Sequence, residues 1–234
     1  MKKYILLFIA ITSILIPCKL HAVDISVGAS SWYAWYKPSG GAKVDPAFLF
    51  SPALSVKFND DYNLTFVYYY GKFDYDYGRT STRHDSDLAL NYRLNNFLKV
   101  FAGVKYRRIT ADSNEKSTPP PPVPLYSIKT DSIGPGVGLS GTFPVIENMY
   151  LIATGSGLFL FRRSEYDLGF GVSDKRYYHN YGYNTTLSIA YYIAPLSTVI
   201  NLGGRYQCFI DRKDTSIRDS FYGITLTATY SFDI

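Results

Sequence analysis

The chain has 234 residues, 24 lysines and arginines against 19 acids (formal charge +5), 17% aromatic residues with 23 tyrosines, and only two cysteines and three histidines. So few cysteines and histidines exclude a disulfide framework and argue against a metal cluster. Once Lys2, Lys3 and Lys19 leave with the leader described next, 21 bases face 19 acids, about +2, which gives no case for nucleic acid.

Residues 1–22, MKKYILLFIAITSILIPCKLHA, open on two lysines, run apolar over 4–16 and end on the small Ala22. That is the pattern of a secretory signal peptide cleaved after Ala22. The apolar run is shorter than the roughly 18 to 20 residues a transmembrane helix needs. Cleavage removes Cys18 and leaves Cys208 alone, on what reads as a lipid-side position, in a single domain spanning 23–234.

From residue 24 onward, apolar and polar residues alternate with period two in runs of about 10 to 14 residues. The pattern predicts ten strands, near 24–37, 46–58, 62–74, 84–94, 98–109, 130–143, 149–162, 178–192, 198–210 and 219–232. Pro46, Pro52 and Pro135 are awkward there and belong near strand ends or bulges. Short connections, at 59–61, 95–97, 144–148 and 193–197, alternate with long ones such as 74–83, 110–129 and 163–177. Within the longest, Pro119-Pro120-Pro121-Pro122-Val123-Pro124 favours an extended spacer.

The two faces of these strands differ. On one, aromatics gather at two heights: Tyr33, Trp35, Phe48, Phe50, Tyr68, Tyr70, Tyr106, Phe159, Phe161, Tyr181, Tyr183, Tyr206 and Tyr222 toward the long loops, and Phe58, Tyr62, Tyr92, Phe143, Tyr191, Tyr230 and Phe232 toward the short turns. Between them lie apolar residues such as Leu54, Leu64, Leu90, Val137, Leu139, Leu187, Ile200 and Leu226. An apolar belt between two aromatic girdles matches a bilayer with its two headgroup zones. The other face carries Lys57, Asp85, Asp87, Arg93, Lys99, Lys105, Arg107 and Arg205 among serines, threonines and asparagines. Lysine or arginine at the lipid midplane costs about 2–4 kcal/mol each, so the polar face lines the lumen. The fold class is therefore all-β: an antiparallel transmembrane β-barrel of about ten strands, or eight or twelve if a weak segment is misread.

The hairpin over 88–107 fixes a register. Leu94 and Leu98 share a face across Asn95-Asn96-Phe97, which sets Arg93 opposite Lys99, Asp87 opposite Lys105 and Asp85 opposite Arg107. Asparagine suits such a loop because it tolerates the left-handed conformation. Two salt pairs and one like-charge pair are expected inside the lumen.

With these features the chain resembles the outer-membrane β-barrel proteins of Gram-negative bacteria over all of 23–234, and its last strand, FYGITLTATYSFDI, looks like their C-terminal insertion signal, although Asp233 and Ile234 follow the aromatic Phe232. The resemblance implies residence in the bacterial outer membrane, with lipid, lipopolysaccharide and the outer-membrane assembly machinery as partners, and no nucleic acid. Omptin proteases share an Asp-x-Asp couple like Asp85 and Asp87, but no aspartate neighbours His179 to complete their Asp-His dyad. His84 and Ser86 have the His-x-Ser spacing of lipid A deacylases, yet Glu115, Glu147 and Glu165 all fall in loops or turns, away from orienting that histidine. The glycines of 136–141 match a dinucleotide fingerprint but lead into Phe143-Pro144, not into a helix. Gly134, Gly136 and Gly138 instead leave room for bulky lumenal neighbours or for a passage.

The sequence thus predicts a barrel that is not an enzyme and takes no cofactor or metal. Two roles stay open: a narrow passive channel, whose basic lumen favours small anions, or a non-conducting structural or adhesin-type barrel binding a surface ligand through its loops. A barrel-embedded hydrolase is the remote alternative.

Overall fold

The computed structural model describes residues 24–39, 41–75, 79–113, 127–167 and 173–232; the leader with Cys18, the proline run at 119–124 and the end of the insertion signal at 233–234 lie outside them. Ten strands follow in chain order: β1 (Asp24–Lys37), β2 (Ala47–Lys57), β3 (Tyr62–Tyr75), β4 (Arg79–Arg93), β5 (Leu98–Ser113), β6 (Ser127–Ile146), β7 (Met149–Asp167), β8 (Ser173–Ile193), β9 (Thr198–Asp211) and β10 (Arg218–Phe232). Each pairs antiparallel with its chain neighbours, and β1 closes on β10 from Ile25↔Phe232 to Lys37↔Ser220, giving a ten-stranded barrel. Closure leaves no strand edge unpaired, which a backbone surrounded by hydrocarbon requires. No helix among the described residues is long and apolar enough to cross a membrane, which bears only on helices.

The strands arise where β-branched and aromatic residues alternate with small polar ones, and their ends have side-chain reasons. Asn59 Oδ1 accepts the amides of Asp61 and Tyr62, both at 2.9 Å, and Asn95 Oδ1 those of Phe97 (2.8 Å) and Leu98 (2.9 Å). Asn95 thus closes its turn by hydrogen bonding and not, as expected, by a left-handed backbone. Among the described residues the left-handed non-glycine positions are Asn148 (φ 61°) and Ser197 (φ 44°), in the other two short turns. The register Arg93↔Lys99, Asp87↔Lys105 and Asp85↔Arg107 holds as the hairpin predicts.

Pro52 and Pro135 sit inside β2 and β6, each where one ladder is interrupted. The β2–β3 register skips from Phe50↔Tyr70 to Ala53↔Val67, and the β6–β7 register from Ile133↔Phe161 to Gly136↔Leu158. Proline has no N–H to give there. At the first gap Ser51 Oγ accepts the Tyr68 amide at 3.1 Å in place of a ladder partner.

The outward girdles form by register. Trp35 stands opposite Tyr222 with rings stacked at 5.8 Å, Tyr33 opposite Phe48 at 4.8 Å, and Tyr62 opposite Tyr92 at 4.9 Å. Strands β4 to β8 run three to five residues further at the loop end than alternation predicts. Both faces are polar there, so the period-two signal fades while the backbone ladder continues, as in Lys129↔Glu165↔Lys175.

Cys208 is a correction. It has outward parity but is fully buried, with Ser220 Oγ 3.7 Å from its sulfur, rather than presented to lipid.

Candidate functional site: the occluded lumen

The lumen read from sequence as polar is so in the turn-side half, whereas in the loop-side half its polar residues are packed among large apolar ones. At the loop-side half, the inward positions carry Trp32, Ala34, Leu49, Tyr69, Phe73, Leu160, Phe209 and Phe221, all buried and packed as one apolar cluster. A ten-stranded barrel has little more interior than its own side chains fill, and these side chains are large.

Charge threads through this packing. Asp85, with no solvent exposure, is ion-paired to Arg83 and to Lys105, whose Nζ lies 2.6 Å from Oδ1. Lys105 also reaches Asp87 at 2.9 Å, and Arg205 Nη2 reaches Asp87 Oδ2 at 3.2 Å. Five side chains from β4, β5 and β9 thus form one linked chain, Arg83–Asp85–Lys105–Asp87–Arg205, with three bases to two acids. Isolated burial of any one of these charges would cost several kcal/mol, and pairing with hydrogen bonding is what makes it tolerable. The aromatics contribute as well. Arg83 lies 3.8 Å over the Phe221 ring and 5.2 Å from Trp32, and Arg205 lies 4.9 Å from Trp32 and 5.0 Å from Tyr69.

Arg107 corrects the expected second salt pair. Its backbone is opposite Asp85, but both carboxylate oxygens are engaged by Arg83 and Lys105, and the guanidinium instead lies 3.8 Å over the Phe209 ring. No nitrogen of that guanidinium has a hydrogen-bond partner among the described residues.

Lys57, Arg93 and Lys99 lie apart from this cluster, at the turn-end mouth. Lys57 pairs with Asp24 (3.2 Å) and Asp60 (3.0 Å), and Arg93 Nε is 3.9 Å from Asp61, which relieves its like-charge neighbour Lys99. In the exposed turn, the hydrogen bond from Lys57 holds the Asp60 carboxyl below its usual range. The selectivity set read from sequence is thus two groups: Asp85, Asp87, Lys105, Arg107 and Arg205 in the closed half, and three bases at the mouth. Gln207, which shares lumenal parity with Arg205, accepts from Arg83 Nη2 at 2.6 Å, and Arg83 was missed. Arg83 was assigned to the loop before β4, although its spacing of two residues from Asp85 and four from Asp87 marks the same face.

Below the charged chain the lumen opens into a cavity of about 290 Å³. Asp87, Lys105 and Arg205 form its inner end, and Thr65, Asn91, Ser140, Thr154, Ser156 and Thr186 supply polar walls toward the turns. The lumenal glycines serve the bulky neighbours here: a methyl group at Gly138 would strike the Phe101 ring and one at Gly136 the Leu158 side chain, and both of those side chains line the cavity.

The groups considered for catalysis do not converge. His84 is on the outer wall, its Nδ1 2.6 Å from Tyr68 Oη and its ring 5.1 Å from that of Tyr70. His179 is also on the outer wall, between Phe159 and Phe161 at 5.8 and 5.3 Å, on the opposite side of the sheet from Asp85 and Asp87. The glycines of 136–141 lie within β6. Among the described residues no group of three potential ligands is placed to hold a metal ion.

No family model and no curated protein sequence matches the chain. Solved structures do. The outer-membrane protease OmpT of Escherichia coli superposes with a TM-score of 0.59 at 11% identity, over 92% of this chain and 98% of that one. The translocator domain of the autotransporter NalP of Neisseria meningitidis gives 0.56 at 8% identity, over 95% and 92%. At such identities the likeness is one of architecture, and the architecture of this chain is that of the outer-membrane β-barrel proteins.

Proposed function

We propose that the chain is an integral outer-membrane barrel, with its short turns in the periplasm, whose lumen is closed to passive diffusion and whose role is structural or adhesin-type and non-enzymatic. One observation carries this reading: Trp32, Leu49, Phe73, Arg83, Asp85, Gln207, Phe209 and Phe221, inward residues of six strands, are each 0 or 1% exposed. An anion path would have to part side chains that are both close-packed and ion-paired.

The loop end is where such a barrel meets its surroundings. Strands β6, β7 and β8 carry mixed charge beyond the girdle, with Glu165 joined to Arg163 and, at 3.6 Å, to Lys175, and Arg176 joined to Asp174 at 2.7 Å. Tyr177 there is 68% exposed. Exposed tyrosines among paired charges suit contact with a surface ligand or with lipopolysaccharide headgroups. Insertion through β10 by the outer-membrane assembly machinery belongs to the same proposal.

Conductance tests it. Residues 23–234 refolded into a planar lipid bilayer are expected to insert without discrete current steps. Anion-selective steps, reduced or reversed when Lys105 and Arg107 are changed to glutamate, would overturn the proposal in favour of a channel.

A further inference from the structure

The cavity under the charged chain is built more elaborately than a closed barrel needs. Its inner end carries one cation in excess, and Arg205 is the base with donors to spare: Nε is given to Asn184 Oδ1 at 3.2 Å and Nη2 to Asp87 at 3.2 Å, two of the five N–H groups of a guanidinium. Arg205 is itself more than nine-tenths buried, so an anion reaching it exchanges water for a charge-assisted hydrogen bond in a low-dielectric setting.

The walls differ from the inner end. Ser140 and Thr154 hydroxyls face each other at 3.0 Å, and Ser156 and Thr186 stand beside them on β7 and β8. Hydroxyls at this density both donate and accept, which matches a ligand that carries hydroxyls itself. One wall is apolar: the Phe101 ring, in the space left by Gly138, with Leu158 nearby. A ring lying against such a surface contributes through its C–H face. At about 290 Å³ the space is near the lower end of small-molecule sites and holds about ten water-sized groups. At the mouth, exposed Lys99 stands in register with Ser140 and extends positive potential to the entrance.

We infer that this cavity binds an acidic monosaccharide from the turn-end side, its carboxylate on Arg205, its hydroxyls on the Ser140–Thr154–Ser156 wall and its ring against Phe101. The inference rests on the proposed function only for the compartment that supplies the ligand. Binding is read by calorimetry in nanodiscs and conductance across a planar bilayer, so either can fail without the other.

The test is calorimetric titration of folded 23–234 in lipid nanodiscs with glucuronate, glucose and acetate. Glucuronate is expected to bind saturably, and glucose and acetate each about tenfold or more weaker, because each lacks one half of the recognition. Arg205→Gln should lower glucuronate affinity about tenfold or more while leaving glucose unchanged. Ser156→Leu, which fills the cavity without touching a charge, should abolish both and keeps the test valid if the arginine variant fails to fold. Absence of saturable glucuronate binding, binding indifferent to both substitutions, or acetate binding as tightly as glucuronate would overturn the assignment.

Discussion

Asp85 accepts two cations in a space closed to solvent, and its neighbours are arranged around that fact. Removing its charge leaves Arg83 and Lys105 buried with, among the described residues, Gln207, Asp87 and ring faces to answer them. Breaking a buried pair in this way typically costs about 3–5 kcal/mol. Asp85→Asn is therefore expected to lower the unfolding free energy of the barrel, read by urea titration in lipid vesicles, by that order, whereas Asp61→Asn at the exposed mouth should change it little. Equal effects of the two would contradict a buried network. Asp85, Asp87, Lys105 and Arg205 were legible as lumenal because inward parity is a property of spacing. The Asp87–Lys105 pair was legible as well, from the hairpin register; the other partners were not, because which of several bases a carboxylate takes depends on side chains from β4, β5 and β9 meeting across the lumen, a matter of barrel closure that no local pattern carries. Arg107 shows it: opposite Asp85 along the ladder, yet held by a ring from β9.

At the scale of a strand, facing is the quantity at stake. Leu139 and Ser140 are neighbours on β6, the first 58% exposed on the outer wall and the second in the cavity wall. Leu139→Arg places a charge in the lipid belt and should destabilise the barrel by about 2–4 kcal/mol, while Ser140→Arg should cost far less because it meets a wet, polar lumen. Denaturant midpoints of the two variants in the same vesicles decide it, and a reversed order would invert the barrel. The ten strands were readable from alternation because lipid on one side and a polar lumen on the other impose period two. The signal fell short in two ways: it missed strand ends above the girdle, and within strands it placed correctly it did not show that the lumen is filled. Above the girdle, at 127–129 and 163–167, both faces carry polar residues. In Ser31-Trp32-Tyr33 and Tyr68-Tyr69-Tyr70, both faces are apolar, one toward lipid and one into the packed lumen. Consecutive aromatics at one height were the available sign that the loop-side lumen is filled, and it was outweighed by the polar face below it.

At the scale of the molecule, the barrel is divided: a closed half toward the loops, where aromatic packing and a five-membered ion chain occupy the interior, and an open half toward the turns, where a hydroxyl-walled cavity begins. The basic lumen read from sequence as a pore lining is here partly a structural core and partly the inner end of that cavity. The chain's two tryptophans sit on either side of the wall and report on the division directly. Trp32 is fully buried inside beside Arg83 and Arg205, and Trp35 is in the outer girdle against Tyr222. The decisive measurement is fluorescence quenching of the single-tryptophan variants Trp35→Phe and Trp32→Phe in vesicles, with iodide and acrylamide in the water or brominated chains in the lipid. The closed lumen predicts that Trp32 is shielded from every quencher and that Trp35 is quenched by brominated lipid. Quenching of Trp32 by iodide to the extent seen for a free indole would mean that water and ions reach the centre of the barrel, and the occluded lumen would be wrong.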